Sequence, residues 1–266
     1  MDSCEPLPRE RKPALQYPGP RAGLRVEDED GDRTHGPSVW GPAAGPQEIG
    51  LLEVGLAQRR VRAYVGLGAN LGDAAGTLAA AIHALAALHD ARLVAVSRLY
   101  ATDPVGDTDQ PEFRNAVVAL DVPAGPDLAS GATFLLVALK GLEIAFGRQA
   151  RRHWGPRELD LDLLVFGRAR LSIDRPAAAR SRDAAVDPTK AARLLEVPHP
   201  EAPERLFVLA PLADLAEGLI PPGWHESVAT ARRRREIAEG PAAVRPIAEW
   251  DRVAGGWRPI AEAASS

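Results

Sequence analysis

RQARRHWGPRELDLDLLVFG, residues 148–167, decides how the rest of the chain is read. It opens with arginines around His153 and Trp154, then passes through Gly155 and Pro156 to Arg157. A strand-like segment follows over residues 159–166. Side chains alternate across a strand, so Asp160 and Asp162 share one face, roughly 7 Å apart by the strand rise. On that pattern Leu164 and Phe166 continue the acidic face, while Leu159, Leu161, Leu163 and Val165 form the other. A solvated face would not turn apolar halfway along. The expectation is a strand buried on both sides whose two carboxylates stand where it opens into a cleft.

Two hard oxygen ligands at this spacing suit Mg²⁺, which takes one or two carboxylates and completes its shell with phosphate oxygens and water. Arginines just upstream supply forked donors for phosphate. Metal for a phosphate chain and cations for charge developing in flight are the needs of nucleotide-dependent phosphoryl transfer. A bare D-x-D is more often an edge strand beside a basic loop. The full run W-G-P-R-x-x-D-x-D, followed by four apolar residues, is far more specific.

The chain has 266 residues, a hydrophobic share of 45% and a formal charge of −4, with a pI near 5.9. These values give a core of ordinary size and argue against a general nucleic-acid binder. Only Lys12, Lys140 and Lys190 are lysines, and the other 29 of the 32 basic residues are arginine. An isolated arginine therefore carries little information here. The single cysteine, Cys4, rules out an intramolecular disulfide and suits a reducing compartment. The N-terminal residues lack the apolar run of a secretion signal. No apolar run approaches the ~20 residues of a membrane span. The expectation is a soluble, cytoplasmic protein that acts as a monomer, with no nucleic-acid or membrane partner.

Residues 1–60 carry scattered proline and glycine with little periodicity and read as a disordered extension. Order begins at VRAYVGLG, a first strand, followed by Asp73 as the cap of a helix from residue 74 to about 89. Gly66, Gly68 and Gly72 miss the dinucleotide fingerprint, and no G-K-[ST] exists for a P-loop. Residues 92–101 give a second strand and 114–122 a third, separated by a turn-rich loop. The longest helix, residues 127–146, buries Leu135, Leu139 and Leu142, with Gly147 placed to cap it. Lys140 and Glu143 read as an i,i+3 surface pair. The 159–166 strand is the fourth. This order predicts an α+β fold with a ferredoxin-like βαββαβ core, a mostly antiparallel sheet and flanking helices. Residues 169–192 read as a surface loop. His199 lies between two prolines in stiff backbone. Residues 224–266 read as a helix holding the solvated run Arg232–Arg235 and then a partly disordered tail. The domain is therefore expected at 61–223, and a fragment of that length is expected to be sufficient for catalysis.

Four blocks in order (AYVGLGANLGD, YATDPVGDTDQPEFRN, HWGPRELDLDLLVFG and VPHPEAPERLFVLAPL) make the chain resemble the 6-hydroxymethyl-7,8-dihydropterin pyrophosphokinases of folate biosynthesis. The resemblance spans roughly residues 61–222. It implies transfer of diphosphate from ATP to the pterin hydroxymethyl group, releasing AMP. It implies that Asp160 and Asp162 bind Mg²⁺, with two ions expected, and that Arg148 and Arg157 belong to a catalytic loop in which Trp154 closes over the site. Either Arg151 or Arg152 would fill the middle arginine's place. Phe113 and Phe207 would sandwich the pterin, Asn115 would read its edge, and Thr102 and Val105 would complete that reading with Trp154. Glu143, Leu163, His199 and Arg205, with Trp154 and Arg157, would fall on the ATP side. Loop 169–192 and both tails exceed the family pattern. A silent pterin- or nucleotide-binding regulator would normally lose an aspartate or a loop arginine, and none is lost. An RNA-binding module, which such a sheet can support, fits poorly with the acidic pI.

Overall fold

The computed structural model describes residues 59–104, 109–148, 156–179 and 192–260. The expected extension 1–60 falls outside these residues up to 58, as do Val105, Arg151, Arg152, Trp154 and residues 180–191 of loop 169–192.

β1 (Arg60–Ala69) is paired antiparallel with β4 (Phe113–Pro123) along its whole length and with β5 (Asp160–Phe166), the edge strand, on its other side. Beyond β4 lie β2 (Arg92–Val96) and β3 (Leu99–Thr102), both antiparallel to it. The order β5-β1-β4-β3, with α1 (Ala74–Ala86) and α2 (Leu128–Ala145) as connections, is the expected ferredoxin-like α+β core. α1 starts after the cap the sequence places, Asp73, and α2 after a second cap, Asp127. Asp73 accepts from Gly76 N at 2.9 Å and Asp127 from Ser130 N at 2.8 Å, each stabilising its helix by about 1 kcal/mol.

One face of the sheet carries Ala63, Val65, Leu67, Val118 and Leu120, against which α1 lays Leu78, Ile82 and Leu85 and α2 lays Leu135 and Leu139. By length and composition alone α2 is long and apolar enough to cross a membrane, with 18 residues and a mean hydropathy of 1.6. It instead seats those leucines and Glu143 against the sheet. On the opposite face Tyr64, Val117, Ala119 and Leu164 meet Leu209 and Leu212 of α3 (Leu206–Ala216) and Val228 and Ala231 of α4 (Val228–Glu239).

Three expectations change. The single second strand is broken at Ser97, whose hydroxyl accepts from Val117 N at 2.9 Å and donates to Arg98 O at 2.7 Å. Arg98 is turned away to Asp214, which accepts from its backbone N at 3.0 Å and from its guanidinium. The simple alternation of residues 159–166 also fails. The register slips between Tyr64/Val65 on β1, so Leu163 faces Val65 but Val165 faces Tyr64. Phe166 consequently joins the α1/α2 face, while Leu164 and Val165 both pack under α3. A bulge spends one extra residue and reverses every side chain beyond it.

The third change concerns the ends of the domain. Within the expected surface loop, β6 (Leu171–Asp174) pairs with β7 (Arg193–Val197) as a separate two-stranded sheet. Residues 224–266, expected as a helix and tail outside the domain, supply α4 and two further strands of the main sheet. β8 (Val244–Asp251) pairs with β3, and β9 (Gly256–Pro259) pairs with β8. Trp250 and Trp257 stack edge to face at 4.9 Å, and Trp257 donates to Ala75 O of α1 at 3.0 Å. Two aromatic rings give this hairpin the apolar area that a bare strand pair lacks.

Cutting the chain after residue 223 removes α4 from the sheet and leaves β3 an unpaired edge. The prediction is that a 59–223 fragment has a clearly lower thermal midpoint than a 59–260 fragment, or fails to fold. Equal midpoints by circular dichroism would mean that the C-terminal elements are dispensable.

Candidate active site

Gly66 and Gly68 leave the middle of the sheet without side chains on the α3 face. Gly66 is registered with Val117 on one side and Asp162 on the other, and Gly68 with Asn115 and Asp160. A Cβ on Gly68 would stand 3.2 Å from Asn115 Oδ1, so the bare position gives the amide its room. These glycines form part of a cleft of about 840 Å³, lined by the acids of β5, the Asn115 amide of β4 and the rings of Phe113 and Phe207.

On the acidic bank, Asp160 is gripped by two guanidiniums. Arg148 reaches Oδ1 at 2.9 Å and Arg157 reaches Oδ2 at 2.5 Å. Behind them lies Glu143, only 2% exposed. Its Oε1 accepts from Leu161 N and from Lys140 Nζ, both at 2.7 Å, and its Oε2 pairs with Arg148. Lys140 also donates to Leu161 O at 3.0 Å. Burial opposes the charge on Arg148, yet the Asp160 and Glu143 carboxylates outweigh it and raise its pKa. The expected Lys140–Glu143 surface pair is thus a tie between α2 and β5, with Glu143 buried and Lys140 half-exposed. Glu143 stands behind the cleft wall instead of lining it. Leu163 borders the cleft with its side chain buried on the α1/α2 face.

His199 and Arg205 close the same bank. His199 N donates to Leu164 O at 2.9 Å, which ties the proline-flanked turn to β5. Burial pushes the His199 imidazole below its ordinary range, against the pull of the Asp162 charge. Burial likewise lowers Arg205, opposed by Asp162 and Asp160. The Arg205 guanidinium lies 5.6 Å from the centre of the Phe207 ring. Phe207 and Phe113 both line the cleft. On the opposite bank Asn115 Nδ2 donates to Thr102 Oγ1 at 2.7 Å, and both residues are buried.

Of the expected residues, Arg148, Arg157, Asp160, Asp162, Thr102, Phe113, Asn115, His199, Arg205 and Phe207 line this one cleft. Val105 and Trp154 lie outside the described residues. One neighbour was not singled out by the sequence. Asn70, 2% exposed, accepts from Arg157 N at 2.7 Å and donates to Gln110 Oε1 at 3.0 Å and Pro111 O at 3.2 Å. It joins the end of the arginine stretch to the loop on the opposite bank. A polar amide closing a strand that ends in bare glycines was the available signal.

The pattern has counterparts among known proteins. A model of the family described as 7,8-dihydro-6-hydroxymethylpterin-pyrophosphokinase matches residues 64–217. This chain belongs to that pyrophosphokinase family. A Pseudomonas aeruginosa protein named 2-amino-4-hydroxy-6-hydroxymethyldihydropteridine pyrophosphokinase is 42% identical over 165 residues, covering 62% of this chain and 86% of the relative. One of the same name from Methylorubrum extorquens is 41% identical over 159 residues, covering 60% and 85%. The fold is also similar to that in the crystal structure of wild-type Plasmodium falciparum HPPK-DHPS with pterin and p-hydroxybenzoate. There the TM-score is 0.54 and the identity 14%, over 77% of this chain and 49% of that one. This chain therefore spans about half the length of such structures. The 64–217 match ends before α4, β8 and β9, so the C-terminal sheet strands lie outside it.

Removing a partner from a buried ion cluster leaves the others uncompensated. Glu143→Ala is expected to lower stability by about 3 kcal/mol, the low end for a buried pair because Lys140 and Arg148 regain water. Urea unfolding of the variant beside the intact chain measures this. A change within error would mean that Glu143 does not hold α2 to β5.

Proposed function

We propose that the cleft binds ATP along the bank of Asp160, Asp162, His199 and Arg205, and the pterin along that of Phe113, Phe207, Asn115 and Thr102. The reaction is that of the family: diphosphate passes from ATP to the hydroxymethyl group of 6-hydroxymethyl-7,8-dihydropterin, in folate biosynthesis. The observation that carries the assignment is the opposition of charge and stacking surface across a sheet bared by Gly66 and Gly68. A flat heterocycle needs aromatic faces and an amide that both donates and accepts. The buried Asn115 amide, oriented by Thr102, offers both to an edge presenting a lactam. Val105 and Trp154 are assigned to the pterin side by the resemblance alone.

The hydroxymethyl oxygen forms a bond to the β-phosphorus, the bond from that phosphorus to the AMP oxygen breaks, and the hydroxyl proton is released. Two carboxylates on one strand face fit Mg²⁺, which accepts one or two such ligands and completes its shell with phosphate oxygens and water. Asp160 and Asp162 would hold it, with two ions proposed. When bound, it supplies neutralisation of the triphosphate. The chain's own groups do the rest. Arg148 and Arg157, which grip Asp160 in this state, would turn their forks to phosphate oxygens, with Arg157 beside the β-phosphate. His199, kept neutral by burial, can hydrogen-bond the nucleotide without adding charge. Arg205 supplies a cation over Phe207. A single cysteine in 266 residues agrees with action in the cytoplasm, where ATP is at hand.

Two aspartates beside a triphosphate repel it unless a cation intervenes. Asp160→Ala and Asp162→Ala are each expected to abolish turnover and to flatten the magnesium dependence of ATP affinity, with the apo melting midpoint nearly unchanged in Asp162→Ala and lower in Asp160→Ala, which strips a partner from Arg148 and Arg157. Calorimetric titration of ATP over a range of Mg²⁺ concentrations decides this. A wild-type magnesium response in both variants would remove these acids from the metal site.

A further inference from the structure

β8 lies outside the family-matched region, yet it touches the pterin bank directly. Its backbone registers Arg245 with Ala101 and Val244 with Thr102, at the end of β3 where Thr102 meets Asn115. The Arg245 guanidinium then reaches over the neighbouring loop. It pairs with Glu112, one residue before Phe113, and lies 3.5 Å from Asp103, one residue after Thr102. The far side of the same guanidinium donates to Ala242 O at 3.1 Å, which fixes its direction. Glu112 also receives Arg114 at 3.0 Å on its other oxygen. Both ends of the 103–112 loop are thus held by one cation from a strand 133 residues away in sequence.

We propose that Arg245 is a positioning residue for the acceptor half of the site. By drawing Glu112 and Asp103 together it sets the separation of the loop ends that carry Thr102 and Phe113. The inference rests on the assignment of that bank to the pterin. Arg245, Glu112 and Asp103 are all at least 40% exposed, so the pair contributes little to global stability. Its effect is on geometry, and among the described residues the partners of Arg245 and Glu112 include neither Asp160 nor Asp162.

The test is steady-state kinetics on the full chain with AMP release as readout. The variants are Arg245→Ala, Arg245→Lys and Glu112→Gln, with Asn115→Leu as the control for the pterin bank. Arg245→Ala is expected to raise the KM for hydroxymethyldihydropterin about fivefold, equivalent to roughly 1 kcal/mol. The kcat and the KM for ATP should stay within about twofold. Arg245→Lys should recover part of the loss, and Glu112→Gln combined with Arg245→Ala should cost no more than Arg245→Ala alone.

Salt gives an independent readout. The pterin is uncharged, so raising NaCl from about 0.05 to about 0.5 M should increase its KM in the wild type by screening the ion pair, but not in Arg245→Ala. The proposal is overturned if Arg245→Ala leaves the pterin KM unchanged while Asn115→Leu raises it. It is also overturned if both KM values and the melting midpoint shift together without rescue by lysine, which is the mark of a merely structural role. If Asn115→Leu itself leaves the pterin KM unchanged, the assignment of the bank fails first and the proposal falls with it.

Discussion

Glu143 sits on the sheet-facing side of α2 with its carboxylate buried, where an ionised group survives only if every lone pair finds a donor. It finds them in Leu161 N, Lys140 and Arg148. The consequences run outward from that point. Leu161 lies between Asp160 and Asp162, so fixing its amide fixes the pitch of both acids on β5. Arg148 is drawn against Asp160 by the same carboxylate, which holds a guanidinium beside the acids of β5. A hydrophobic substitute of equal volume would pack as well but would hold neither the strand nor the arginine in register.

The cleft is a product of what β1 lacks. On its α3 face the side chains run Tyr64, Gly66, Gly68, so the sheet is covered at one end and bare at the other. The bare end is wide enough for two ligands, and the flanking strands supply one set of groups each: acids from β5, the amide and an aromatic from β4. Asn70 then ties the two banks through Arg157, Gln110 and Pro111. The acidic and amide sides of the cleft thus flank β1 in one antiparallel sheet.

Much of this was legible in the chain because it depends on local pattern. The Asp73 cap, the Leu135 and Leu139 stripe and the D-x-D strand are all contained within a few residues. What escaped depends on distant partners. The bulge at Leu164 requires knowing how β5 registers on β1. The burial of Glu143 requires knowing that β5 lies beneath that turn of α2, since three-residue spacing is equally good for a solvated pair. Residues 244–259 carry two prolines and two glycines in a short span, with tryptophans instead of alternating aliphatics, so nothing local marks them as sheet. Their order comes from β3, Ala75 and His83. The run Arg232–Arg235 likewise gains meaning only in three dimensions. Arg234 and Arg235 both reach Glu204, in the turn that precedes Arg205 and Phe207.

The account stands on diphosphate, not phosphate, leaving ATP in this cleft. Mass spectrometry of the products from ATP, Mg²⁺, hydroxymethyldihydropterin and the full chain reads that directly. One AMP and one pterin diphosphate per turnover, in equal amounts and only when pterin is present, is the predicted result. ADP with a pterin monophosphate, or AMP released without pterin, would contradict it.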